Sequence, residues 1–106
     1  MNEQRSLDEY DKEILESFQV EIAQEIAKGG SEDLRHIDVN YLGNEEVKAF
    51  GLLEQLNDGA ITMEMFRDEL NKYQGNVSGS EEKIKSINHY IAWLRNQAMS
   101  NLMREQ

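Results

Sequence analysis

Two histidines, twenty-one carboxylates and a scatter of hydroxyls are the groups in this chain that could do chemistry. A metal centre or an acid–base pair needs imidazoles and carboxylates brought to one face, as helical Glu-x-x-His or His-x-x-x-His spacing does. His36 and His89 belong to no such arrangement. Asp33 and Asp38 flank His36, which permits a carboxylate–imidazole pair, but on a polar turn such a pair is usually a solvated surface contact. Without cysteine there is no disulfide and no thiolate ligand. There is no Gly-x-Ser-x-Gly turn, and no glycine-rich loop leads into a phosphate-holding lysine. No catalytic residue, metal or cofactor is expected, and the chain is read as a non-enzyme.

What remains is charge. Positions 1–58 hold fifteen Asp and Glu against five Lys and Arg, whereas positions 59–106 hold six of each, so the formal charge of −10 lies in the first half. Such a field favours basic surfaces and repels nucleic acid and anionic membrane. The basic residues Lys83, Lys85, Arg95 and Arg104 are scattered, so direct nucleic-acid binding is not expected. At helical spacing Glu9, Glu13 and Glu16 share a narrow sector opposite an apolar stripe, with only Lys12 nearby. Continued through Glu21, Glu25, Glu32 and Asp33, the row reads either as a solvated face or as an anionic surface for a basic groove, imitating the phosphates of a nucleic acid.

These groups must be positioned by helices. Leu7, Tyr10, Ile14, Phe18, Ile22 and Ile26 recur at steps of three and four, with Ser6 placed to cap the start and Gly29-Gly30 to end it. Ser31 is placed to cap a short turn through Leu34 and Ile37, and Asp38 to Gly43 alternates like a brief extended segment without a partner, hence a loop. Asn44 then caps a second helix with Val47, Phe50, Leu53 and Leu56, the one expected to be most buried. Asn57 to Ala60 turns the chain. Thr62 caps a third helix, with Met63, Phe66, Leu70 and Tyr73 on one face and Gly75 at its end. The segment 75–80 is linker-like and a candidate hinge, and Ser78 with Glu81, or Ser80 alone, caps the last helix. That helix carries a seam of Ile84, Ile87, Ile91, Leu94 and Ala98. Trp93 falls opposite Ile84 with Tyr90 one turn earlier, an aromatic pair read either as core of a helix buried from two sides or as an interface for a partner or a second copy.

Residues 54–66 resemble an EF-hand loop, with Gly59 at the sixth place, Ile61 at the eighth and Phe66 just after the twelfth. Leu56 at the third and Met65 at the twelfth occupy places where calcium needs oxygen ligands, so calcium is not expected. Gly59 as a helix end, Ile61 as a staple and Thr62 as a cap account for the same residues. Residues 53–70, leucines before an Asp-Gly turn, then Ile-Thr and Phe66, resemble the helical hairpin of the short C-terminal domain family called SHOCT. The resemblance implies a hairpin used in oligomerisation or tethering. Met65 stands where that family usually has glutamate, and no functional residues transfer.

Together these readings imply a single all-α domain over 1–106: a compact bundle of four principal helices with a central helical hairpin, and flexible residues at 1–5. No stretch is long and apolar enough to cross a bilayer, and a cytoplasmic protein is expected. The expected function is a small acidic regulatory or inhibitory protein that docks on a basic, nucleic-acid-binding type of partner. The expected binding residues are Glu9, Glu13, Glu16, Glu21, Glu25, Tyr90 and Trp93. Small size, acidity and the lack of catalytic motifs suit a phage or mobile-element accessory factor. The alternative is a dimerisation module built on the last helix and the hairpin.

Overall fold

The computed structural model describes residues 2–105, with side chains described for residues 12–101 and for Met103. Four α-helices carry the fold: α1 (Asn2–Lys28), α2 (Asn44–Asn57), α3 (Met63–Gly75) and α4 (Glu81–Glu105). Two short 3-10 helices, Asp33–His36 and Val39–Tyr41, occupy the crossing from α1 to α2. No strand occurs among the described residues, and the all-α bundle implied by the 3.6-residue periodicity is the observed class.

Local chemistry sets most boundaries. Gly29 adopts φ 68°, and its N–H donates to the Ile26 carbonyl at 3.0 Å, closing α1. Thr62 Oγ1 accepts from the Met65 N–H at 3.1 Å, and Ser80 Oγ from the Lys83 N–H at 3.1 Å, each satisfying an amide that the first turn of a helix leaves free. Gly59, at φ 80°, turns α2 into α3.

Three capping expectations are corrected. Helix α1 starts at Asn2, so Ser6 lies inside it rather than at its cap. Asn44 is the first helical residue of α2; the cap is Gly43, whose N–H donates to Glu46 Oε1 at 2.8 Å. Ser31 does not cap the first 3-10 helix, which starts from Glu32 without a side-chain hydrogen bond. The stretch read as a loop, 38–43, contains a 3-10 turn, because Asp38 Oδ1 accepts from the Asn40 N–H at 2.9 Å and so competes with extended backbone.

The core is organised around α4 rather than α2. Helix α4 buries Ile87, Tyr90, Ile91, Trp93, Leu94 and Ala98, whereas α2 buries only Ala49 and Leu53 among its apolar residues. The reason is position: α4 packs against α2, α3 and both 3-10 helices, while α1 packs against α2 and the two 3-10 helices. The crossing segment is tied to both long helices. Gln19 Nε2 donates to the carbonyls of Val39 at 3.2 Å and Leu42 at 2.9 Å, and the Asp38 N–H donates to Ser86 Oγ at 2.8 Å. These bonds satisfy main-chain groups of an irregular segment that otherwise lacks a ladder.

The long axis of the molecule, 49 Å against 32 and 28 Å across, reflects the 27 residues of α1 at about 1.5 Å each. Phe18 and Ile22 of α1 are buried, while Ile14, one turn earlier, is 37% exposed. Among the described residues, no helix is long and apolar enough to cross a membrane.

Candidate partner-binding surface on the first helix

Phe18 and Ile22 point into the core, and the two hydrogen bonds of Gln19 to the crossing segment fix the rotation of α1 about its axis. The opposite side is thereby committed to solvent. Glu13, Glu16, Ser17, Val20, Glu21 and Gln24 form a shallow, open patch there. Val20, at its centre, is 56% exposed. Among the described side chains, Glu13, Glu16 and Glu21 make no ion pair. Three carboxylates around an apolar side chain can meet guanidinium or ammonium groups while the valine is desolvated beneath them. The side chain of Glu9 lies outside the described residues.

Glu25 sits apart from this patch. It lies 3.5 Å from Lys28 and, with Glu21, edges a cleft of about 200 Å³ between α1, α2 and α4. Phe50 and Trp93 contribute to the lining of that cleft. Glu21 thus borders both the outward patch and this cleft.

Tyr90 and Trp93 do not form a partner-facing aromatic patch, which corrects the sequence expectation. Tyr90 is fully buried and donates to the Glu46 main-chain carbonyl at 2.5 Å, with its ring edge-on to Phe18 at 6.2 Å. Trp93 is 5% exposed and stacks on Phe50, ring centres 6.2 Å apart and planes 10° apart. Because α2 and the crossing segment both cover α4, the second apolar face of this helix is interior. Burial pushes the Tyr90 phenol well above the ordinary tyrosine range, and the charge of Glu46 adds to it. The Tyr73 phenol is raised likewise, first by burial and then by its hydrogen bond to Glu46 Oε2.

The histidines are also arranged differently from expectation. His36 does not pair with Asp33 or Asp38. Instead Asp33 Oδ1 lies 2.9 Å from His89 Nδ1, and the His36 ring stacks on His89 with centroids 4.4 Å apart. Asn96 Nδ2 donates to Asp33 Oδ2 at 3.4 Å. This contact clips the first 3-10 helix to α4. Sequence reasoning missed it because 56 residues separate Asp33 from His89, and no local spacing signals so long a contact. Among the described residues, neither ring is hydrogen-bonded to a hydroxyl, and no three His, Cys, Asp or Glu side chains converge as metal ligands.

No family model, curated protein or solved structure matches the chain, so its function rests on the chemistry of these surfaces.

Proposed function

We propose that this chain is a small acidic regulatory or inhibitory protein, without catalysis, that binds a basic surface of a partner protein through the outward face of α1. The observation that carries the reading is the exposed Val20 ringed by Glu13, Glu16 and Glu21, three carboxylates with no ion-pair partner among the described side chains. Charge at the rim steers the encounter and suppresses wrong partners, while the apolar centre slows dissociation once water is excluded.

Glu13, Glu16 and Glu21 extend over about 12 Å of helix at 1.5 Å per residue, a spaced anionic group of the type that a nucleic-acid-binding surface accepts in place of phosphates. The partner class is therefore a protein whose basic surface ordinarily takes a polyanion. The small size and net acidity suit an accessory factor of a phage or mobile element, and the chain is proposed to act in that way.

Affinity capture from an extract of the encoding organism tests the reading, with washes at about 50 mM and then at about 500 mM salt, where the Debye length falls severalfold. A basic protein retained at low salt and released at high salt is expected. Glu13→Gln/Glu16→Gln/Glu21→Gln and Val20→Asp should each lose it while keeping the helical circular dichroism of the wild type. Undiminished retention by the triple variant would sink the proposal.

A further inference from the structure

A second surface of this molecule has the complementary chemistry. Between α3 and α4 lies a cleft of about 300 Å³ with Met63, Phe66, Ala98 and Met99 as its apolar lining and Arg67 and Arg95 as its cations. Met99 is 44% exposed, and Met103, one turn further along α4, is more so. Arg95 Nη2 donates at 2.9 Å to Asn71 Oδ1 and at 2.9 Å to Gln74 Oε1. Both acceptors are neutral carboxamides, so they orient the guanidinium without neutralising it. Arg67 makes no ion pair among the described side chains, and its acidic sequence neighbours Glu64 and Asp68 do not line the cleft.

The two surfaces are opposite in charge and alike in carrying an apolar centre. On α1 a branched apolar knob stands within carboxylates; between α3 and α4 an apolar socket stands within guanidiniums, and its methionines can adapt to the knob. Within one chain they do not meet, since α1 and α3 share no contact among the described residues. We infer that the socket takes the Val20 face of α1 from a second copy of this chain, with Glu13, Glu16 and Glu21 approaching Arg67 and Arg95. The inference rests on the outward face of α1 being a binding surface, and adds that self-association and partner binding compete for it.

Knob and socket are different patches, so the contact is heterologous and open-ended rather than a closed symmetric pair. The charge of −10 on each copy opposes it over distance. At about 0.15 M salt that repulsion is screened beyond roughly 8 Å, whereas partly desolvated contact pairs are screened less. Self-association is therefore weak, and visible only at high concentration.

Sedimentation of the full chain decides the matter, from about 10 μM to about 1 mM, the weak end of specific association. The mean mass of the wild type should rise continuously with concentration. Val20→Asp and Arg67→Glu, both at exposed positions, should each remain monomeric with unchanged circular dichroism. An equimolar mixture of the two should recover a dimer, because Val20→Asp keeps an intact socket and Arg67→Glu an intact knob. A wild type that stays monomeric throughout, or a mixture that does, overturns the inference. In the capture experiment Arg67→Glu should retain the basic partner at wild-type level. A wild type that stays monomeric yet still captures the basic partner refutes the socket alone, and a wild type that self-associates yet captures nothing refutes the partner reading alone.

Discussion

The phenol of Tyr90 donates a 2.5 Å hydrogen bond to the main-chain carbonyl of Glu46, joining the middle of α4 to the first turn of α2. The Glu46 side chain is itself 7% exposed and doubly used, with Oε1 accepting from Gly43 and Oε2 from Tyr73. One residue therefore links α2, α3 and α4.

Removing parts of this network should cost unequal amounts. Tyr90→Phe deletes a single buried bond and should destabilise by about 0.5–1.5 kcal/mol. Glu46→Gln exchanges two hydrogen bonds to a carboxylate for neutral ones, with the amide nitrogen turned to the Tyr73 oxygen, and should cost about 1–2 kcal/mol. Urea denaturation of both variants checks the ranking; a neutral Glu46→Gln would show that the network is not structural.

Alkaline pH should unfold the protein through the same residues. Tyr73 and Tyr90 have phenols raised far above the ordinary value, so the folded state keeps protons that the unfolded chain releases near about pH 10. Their stabilisation is complete below that pH and is lost progressively above it. The denaturation midpoint should be flat from about pH 8 to 9.5 and fall beyond, less steeply in Tyr73→Phe. A midpoint unchanged at about pH 11 contradicts the buried neutral phenols.

Trp93 should behave as core. Trp93→Ala removes a side chain stacked on Phe50 and should destabilise by about 3–5 kcal/mol, read from the circular dichroism of a urea titration. A surface anchor would instead cost little stability. As the sole tryptophan, Trp93 should also give blue-shifted emission that moves to the red on unfolding.

The acidic face should contribute nothing to folding. Glu13→Gln/Glu16→Gln/Glu21→Gln leaves every described hydrogen bond and ion pair in place, so stability should stay within about 0.5 kcal/mol of wild type. At low salt it should rise slightly, because like charges on one helix face repel by a few tenths of a kcal/mol per pair. A loss above about 1 kcal/mol would mean that the carboxylates are structural after all.

Helix existence and most helix ends were legible in the sequence because they are set by local forces. Apolar steps of three and four place the stripe of α1, so the outward direction of Glu13, Glu16 and Glu21 follows from Phe18 and Ile22 facing inward. Thr62, Ser80 and Gly29 act within one turn of the amides and carbonyls they serve. Ser6 and Asn44 mislead because a capping residue type is only one of several ways to satisfy a first turn, and Glu46 serves that of α2 from within the helix.

Which side of α4 lies inside was decided only by the tertiary structure. Its sequence shows two apolar faces, and nothing local tells whether Trp93 is covered by the same chain or by another. The answer came from α2 bringing Phe50 onto Trp93, and from the crossing segment meeting the other flank through Asp33–His89 and Asp38–Ser86. The Arg67–Arg95 cleft likewise exists only because α3 and α4 pack together. Periodicity and capping depend on residues a few positions apart and can be read in line, whereas the closure of a surface depends on partners brought from dozens of residues away.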